Sequence, residues 1–362
     1  MERIRATYRI AAPQAQIRAR AEALAAEQSV EMPVAAIGDE RVLRETVATV
    51  ESIRPGAGGF DVTLGLAPAT TGAEASQLAN MLFGNCSLQP EVELIGVEFP
   101  AGYEQAFPGP RFGLEGIREA TGVRGRALTC TALKPQGSTI GHLAKLARTF
   151  ALAGIDVIKD DHGIADQAPH PFAERVPAVQ AAIDAANRES GGRTLYAPTF
   201  SGASAALAAQ AKIAREHGVR MALVAPMLVG LPAFVELRAA LDVPVMAHPA
   251  FAGAVRIAAP VMLGTLFRML GADATIFPNH GGRFSFGREN CLAIAHNARA
   301  PWNGVKPMLP VPAGGMTVER VAEMLSDYGP DTMLLIGGGL LSAKERLPER
   351  SREFVRAVRG TA

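Results

Sequence analysis

Apolar and polar positions alternate differently in two parts of the chain. Residues 4–10 read as a strand, and 14–28 as an Ala-rich helix, since Ala is the strongest helix former. Residues 46–53 and 60–66 are rich in β-branched side chains, and the Pro/Gly-rich stretch 54–59 between them predicts a hairpin. A second helix over 73–83 and a strand over 92–99 complete a β-α-β-β-α-β order, which predicts a small ferredoxin-like α+β domain over residues 1–105. From Arg126 on, short continuous apolar runs recur at 128–133, 155–158, 194–198, 221–225, 243–247, 274–277, 308–311 and 333–336. Each ends in a polar, Gly or Pro cluster and is followed by a helix-like stretch. Unbroken apolar runs of this kind are how parallel strands buried on both faces read. Eight strand–helix units over roughly 250 residues predict a (β/α)8 barrel over 106–362, with a doubly wound open sheet as the competing arrangement.

Composition narrows the class. The 362 residues carry 36 basic and 35 acidic side chains and are 48% hydrophobic, a balance that fits neither a nucleic-acid binder nor a disordered chain. Cys86, Cys130 and Cys291 are too few and too scattered for a disulfide framework or a zinc site, as expected of a reducing compartment. The N-terminal Met-Glu-Arg-Ile-Arg has charges where a signal peptide needs its apolar core. The longest uncharged stretch, 195–211, is too short for a comfortable bilayer span and contains Pro198, Ser201 and Gln210. The expectation is a soluble cytoplasmic globular protein with no membrane segment.

In a (β/α)8 barrel the chemistry sits at the C-terminal ends of the strands. Those positions here are rich in ionisable groups and glycines. Gly314-Gly315 after strand seven and Gly337-Gly338-Gly339 after strand eight offer backbone N–H cradles for a phosphate, or plain tight turns. Lys159-Asp160-Asp161-His162 after strand two is a solvated charge cluster or a metal site. In the second reading Asp161 and His162 are ligands, and Lys159 joins them once CO2 carbamylates it into an oxygen donor. Lys134, at the end of strand one, is a candidate general acid/base through a depressed pKa, or a lysine paired with a nearby carboxylate. His248, after strand five, either orients a substrate oxygen or is a hydrogen-bonded histidine at a strand terminus.

At these residues the chain resembles the ribulose bisphosphate carboxylase large-subunit superfamily, and more closely its non-carboxylating branch, the RuBisCO-like proteins. The stretch from Gly109-Pro110-Arg111-Phe112-Gly113 to Lys134-Pro135 is similar to the approach to the first catalytic lysine, and Gly154 through His162 to the carbamylated-lysine motif. Gly271-Ala272-Asp273 resembles the run before loop six, and the two late glycine clusters resemble the phosphate loops. Ala25-Ala26-Glu27-Gln28-Ser29 and Gly84-Asn85 are similar to segments that reach the partner subunit's active site. The resemblance implies Mg2+ as cofactor, held with carbamylated Lys159, Asp161 and His162, and Lys134 as the proton-transferring group. It further implies a homodimer, or an oligomer of dimers, in which Glu27 and Asn85 reach across the interface to metal or substrate. His248 would face the substrate, and Gly314, Gly315, Gly337 and Gly338 would hold its phosphate.

The departures from the family pattern imply a changed reaction. Gln136 replaces the second strand-one lysine, and His162 the last metal-binding Glu, which removes a negative charge from the site. Pro249 replaces the arginine that grips a second phosphate, Ala252 a later histidine, and Ala313 a serine. Arg283 stands in place of the loop-six lysine. Its fixed planar charge is no substitute for a titratable ammonium, though it can hold a carboxylate or phosphate bidentately. The resemblance therefore implies a metal-stabilised enediolate formed from a singly phosphorylated substrate, without ribulose bisphosphate carboxylation. Among the branch's chemistries, the Lys-Asp-Asp-His motif and the Pro-Asn-His-Gly-Gly-Arg loop favour a 3-oxo-isoapionate 4-phosphate transcarboxylase/hydrolase, whose carboxylate would give Arg283 a partner. The alternatives are a methionine-salvage enolase or 5-methylthioribulose 1-phosphate isomerase, with Met227, Leu228 or Phe251 against a methylthio group, and a catalytically silent binding scaffold.

Overall fold

In the computed structural model, which describes residues 2–360, the chain divides into two compact units. Met1 and Thr361–Ala362, the outer limits of the two expected domains, lie outside the described residues. The first unit comprises the chain up to Pro108 together with Ala252–Met262. Its strands β1 (Ile4–Ile10), β2 (Thr49–Gly56), β3 (Gly59–Leu66) and β4 (Val92–Glu98) form an antiparallel sheet in the order β2-β3-β1-β4, the ferredoxin-like arrangement. Ile4, Ala6, Tyr8 and Ile10 alternate onto the buried face. Helix Ile17–Glu27 buries Ile17, Ala21, Leu24 and Ala25, one stripe at helical spacing. The hairpin turn is shorter than the sequence predicts. Pro55 stays in strand register opposite Phe60, and only Ala57 and Gly58 remain as the turn. Because β2 is an edge strand, a residue without an N–H is tolerated there.

The inclusion of Ala252–Met262 in this unit has a hydrogen-bonded basis. Leu94 donates to Arg256 O (3.0 Å) and accepts from Ala258 N (2.8 Å), while the Arg256 guanidinium donates to the carbonyls of Ser87, Gln89 and Val92.

The second unit, Gly109–Phe251 with the chain from Leu263 on, is a parallel (β/α) barrel. Its strands are β5 (Leu128–Leu133), β6 (Val157–Asp160), β7 (Leu195–Ala197), β8 (Thr199–Phe200), β9 (Ala222–Val224), β10 (Val245–Ala247), β11 (Ala274–Pro278), β12 (Leu309–Ala313) and β13 (Met333–Leu335). Strand three of the eight is β7 plus β8, interrupted at Pro198: β7 pairs with β6, and β8 with β9. Parallel ladders run from β8 to β12 and from β13 through β5 and β6 to β7. No ladder joins β12 to β13, and the sequence of β12 explains why. Leu309 donates to β11 through Asp273 O (2.9 Å), so by alternation positions 310 and 312 point the other way, and both are proline. The Thr332 hydroxyl donates to Pro310 O (3.0 Å) across that seam.

The barrel interior is filled by Leu128, Cys130, Val157, Met246, Ile276, Val311 and Met333 among others, a packed core and not a channel. Buried carboxylates tie the end opposite the strand C-termini. Asp156 accepts two guanidinium bonds from Arg126 (2.8 Å each) and the N–H and hydroxyl of Thr129. Asp273 accepts from the N–H groups of Phe112 and Gly113 (2.7 Å each) and of Val245 (2.8 Å). Among the described residues no helix is long and apolar enough to cross a membrane.

Candidate active site

Strand alternation organises the cluster at the end of β6. Lys159 and Asp161 share one face and Asp160 takes the other, because successive strand side chains point to opposite sides. Lys159 is 4% exposed, and its ammonium donates to Asp160 O (2.9 Å). Burial lowers its pKa against the opposing pull of Asp161 and Cys130, with Lys134 adding to the lowering. Asp161 is the meeting point of the site: Lys134 Nζ contacts its Oδ2, His162 Nδ1 lies 3.0 Å from its Oδ1, and the Gly163 N–H donates to Oδ1 (3.1 Å). Burial opposes its charge. The His162 and Lys134 hydrogen bonds and the Lys159 charge outweigh that penalty and hold its carboxyl well below the usual range.

His248 joins the group by stacking on His162, with ring centroids 4.1 Å apart and planes 15° from parallel. Burial pushes its pKa down to about 2, with the Lys159 and His162 charges adding to the shift, so the ring is neutral at working pH. The Ala250 N–H donates to His248 Nδ1 (3.1 Å), which places the ring proton on Nε2 and makes that nitrogen a donor. Gly337 is adjacent: a Cβ there would lie 3.8 Å from Lys134 Cε. Five of the residues expected from the sequence (Lys134, Lys159, Asp161, His162 and His248) are thus brought together, with Gly337 beside them and Gly338 exposed next to it.

Arg283, Gly314 and Gly315 form a second group. Arg283 N–H donates to Gly314 O (2.9 Å), and its guanidinium lies 5.2 Å from the Phe284 ring centre. Gly314 and Gly315 both have positive φ, +84° and +92°. A Cβ on Gly315 would sit 2.8 Å from Arg283 N, and one on Gly282 would run into Gly314 O. The glycines therefore serve the close backbone approach of two loops, in addition to leaving N–H groups free of side-chain cover. Gly282→Ala is expected to displace Arg283 and to lower kcat/KM by at least about tenfold with little change in Tm, as measured by steady-state kinetics and thermal melting.

Residues not expected from the sequence anchor both groups. Asp160, on the outer face of β6, accepts from Arg175 Nε (3.2 Å), Tyr196 OH (2.8 Å) and Thr199 N–H (3.1 Å). Asp327 holds both ends of loop six, the segment between β11 and the helix Arg288–Arg299: its Oδ2 lies 2.8 Å from His280 Nε2, and its Oδ1 accepts from Arg288 Nε (3.1 Å) and Nη2 (2.5 Å). Neither partnership has a local sequence signal, because the partners are 15 to 47 residues apart.

Burial disfavours the Asp327 anion, but Arg288 and His280 more than compensate and lower its pKa. A carboxyl depressed in the fold stabilises above its unfolded pKa, and that contribution disappears as pH falls through the folded value. The Tm gap between wild type and Asp327→Asn is therefore expected to be full at neutral pH and to close below the ordinary carboxylate range. A pH series of melting curves checks this.

Glu27 and Asn85 belong to the first unit, where Asn85 Nδ2 donates to Glu27 Oε1 and to Glu31 Oε1, both at 2.9 Å. The structure thus brings the two expected residues together and adds Glu31.

Asp161 and His162 offer one oxygen and one nitrogen donor, and an ammonium cannot ligate. The set fits a divalent cation when Lys159 is a carbamate, and the lowered pKa of its buried amine favours the neutral form that reacts with CO2. A second potential cation cluster, His280, Glu323 and Asp327, already has its carboxylates paired with Arg320 and Arg288.

Residues 113–275 match the family described as ribulose bisphosphate carboxylase large chain, catalytic domain. The chain is 50% identical to a 5-methylthioribulose-1-phosphate isomerase of Rhodospirillum rubrum, over 100% of this chain and 97% of that protein. It is 36% identical to a 2,3-diketo-5-methylthiopentyl-1-phosphate enolase of Geobacillus kaustophilus, over 74% of this chain and 67% of the other. The crystal structure of a Rubisco-like protein from Rhodopseudomonas palustris superposes with a TM-score of 0.93 at 50% identity, covering 99% and 98% of the two chains.

Proposed function

Because the chain belongs to the RuBisCO-like proteins of the ribulose bisphosphate carboxylase large-chain superfamily, we propose that it isomerises 5-methylthioribulose 1-phosphate by proton transfer next to the ketone. The observation that carries this reading is 50% identity to an isomerase of that name along essentially the whole of both chains. It displaces the transcarboxylase/hydrolase favoured from the sequence. That assignment rested on the Lys-Asp-Asp-His motif and the Pro-Asn-His-Gly-Gly-Arg loop, two short segments that weigh less than an identity spanning both chains.

In the proposed reaction Lys134, its Nζ positioned by Asp161, removes the proton as the neutral amine and returns it from the resulting ammonium. His248 donates from Nε2 to a substrate oxygen. The N–H groups of Gly314, Gly315, Gly337 and Gly338 take the single phosphate, and Arg283 supplies positive charge beside them. Lys159 as carbamate, Asp161 and His162 would hold Mg2+, which when bound lowers the cost of negative charge on adjacent substrate oxygens. Glu27 and Asn85 are proposed to complete the site of a partner subunit in a homodimer.

Phosphorus NMR tests the reading with 5-methylthioribulose 1-phosphate, 3-oxo-isoapionate 4-phosphate and ribulose bisphosphate in parallel, each with Mg2+ and bicarbonate. Conversion of the first alone is expected; conversion of the second alone would restore the transcarboxylase reading. The carbamate has its own readout: Mg2+ plus bicarbonate is expected to raise the Tm of wild type and leave Lys159→Ala unchanged, since a ligand bound only by the folded state stabilises it.

A further inference from the structure

The mouth of the barrel has two chemically different ends. Strands seven and eight lead into the glycine turns. Strands four, five and six instead lead into large apolar side chains left in water. Leu228, four residues past β9, is 58% exposed; Phe251, four past β10, is 63% exposed; Phe284, six past β11, is 49% exposed. β9, β10 and β11 are consecutive neighbours in the sheet, so the three residues follow one another around the rim. Among the described residues of the barrel unit, the other exposed large hydrophobic is Leu152, which ends the helix Ile140–Leu152 on the way into β6, at the opposite end of the barrel.

Two details argue that these positions are set for a ligand. Phe251 has φ +68°, a backbone state that bulky residues rarely adopt, so the loop fixes its direction against local preference. Phe284 lies against the strand-seven turn: a Cβ on Gly314 would be 3.1 Å from its ring. That aromatic therefore sits where the apolar arc meets the phosphate-binding turns.

We propose that Leu228, Phe251 and Phe284 form an apolar subsite for the methylthio end of the substrate, along an arc of the rim that begins beside the glycine turns that take its phosphate and runs away from them. The proposal rests on the isomerase reading above. A 5-methylthiopentulose 1-phosphate has the same polarity as the rim, with an anion at one end and a soft apolar thioether at the other. Thioether sulfur makes favourable contacts with aromatic ring edges, which two phenylalanines supply.

The test compares kcat/KM for 5-methylthioribulose 1-phosphate with kcat/KM for ribulose 1-phosphate, which keeps the ketone and phosphate and has a hydroxyl in place of the methylthio group. Wild type is expected to prefer the methylthio compound. Phe251→Ser and Phe284→Ser are each expected to cut that preference about tenfold or more, mainly through KM, and Leu228→Ser to cut it further. Phe251→Leu and Phe284→Leu, which stay apolar, are expected to retain most of it. All three side chains are about half-exposed, so the variants leave the core intact, and melting curves check this.

Turnover of both compounds by wild type with a ratio unmoved by the serine variants would overturn the subsite alone. Turnover of neither would overturn the isomerase reading and the subsite with it. Dissociation of an oligomer by the serine variants in sedimentation velocity, with the ratio unchanged, would assign these residues to an interface between chains and overturn the proposal.

Discussion

Replacement of Lys134 by Ala is expected to lower kcat for 5-methylthioribulose 1-phosphate by about 100- to 10,000-fold, the range that a positioned proton-transfer group supplies. Tm should change little. The side chain is one-third exposed, its ammonium contacts Asp161, and its Cε borders Gly337, so its loss removes a reacting group without opening the core. Lys134→Arg should not rescue turnover, because a guanidinium stays protonated and cannot accept the substrate proton. Steady-state kinetics and melting of both variants check this. A kcat within a few-fold of wild type in either would remove Lys134 from the reaction.

The largest expected effect on stability lies one residue from the proposed carbamate. Arg175 and Asp160 are both fully buried, and Arg175 also donates to the carbonyls of Ala165 and His170 while packing over Phe172 (5.4 Å). Removing one partner of a buried pair leaves an uncompensated charge, so Arg175→Met is expected to cost about 3–5 kcal/mol of unfolding free energy at neutral pH. The sign of its pH dependence follows from Asp160. Burial raises that carboxyl against Arg175, Tyr196 and the Thr199 N–H. Without Arg175 the pKa rises further, the neutral acid is favoured in the fold, and stability falls as pH climbs through the unfolded and then the folded value. The deficit should therefore narrow in acid, and Asp160→Asn in the same background should recover part of it. Urea denaturation at two pH values measures both effects.

Much of the architecture was legible because hydrophobic period and strand-end chemistry are local properties. The β5 run was bounded at 128–133 as the structure has it, and the ferredoxin-like order followed from two helices and a Pro/Gly hairpin. Lys159 and Asp161 stand out in the sequence because their types and spacing are chemically unusual at a strand end, and the fold places them in one cluster. What escaped was non-local. Nothing in residues 252–262 announces hydrogen bonds to β4, some 160 residues earlier. Arg175 reads as an ordinary helix charge until Asp160 is seen beneath it, and Asp327 as a solvated acid until both ends of loop six converge on it. The contact of the Arg283 guanidinium with Phe284 and the exposure of Leu228 and Phe251 are likewise properties of the folded rim.

The proposed reaction turns on proton transfer by Lys134 at a carbon next to the ketone of a methylthio sugar phosphate. The most direct measurement is solvent deuterium incorporation, followed by proton NMR and mass spectrometry, when wild type and Lys134→Ala are incubated with 5-methylthioribulose 1-phosphate and Mg2+ in D2O. One deuterium is expected at the carbon adjacent to the ketone in material recovered from the wild-type reaction, and none from the variant. Product formed by wild type without deuterium, or deuterium entering equally with both proteins, would contradict this.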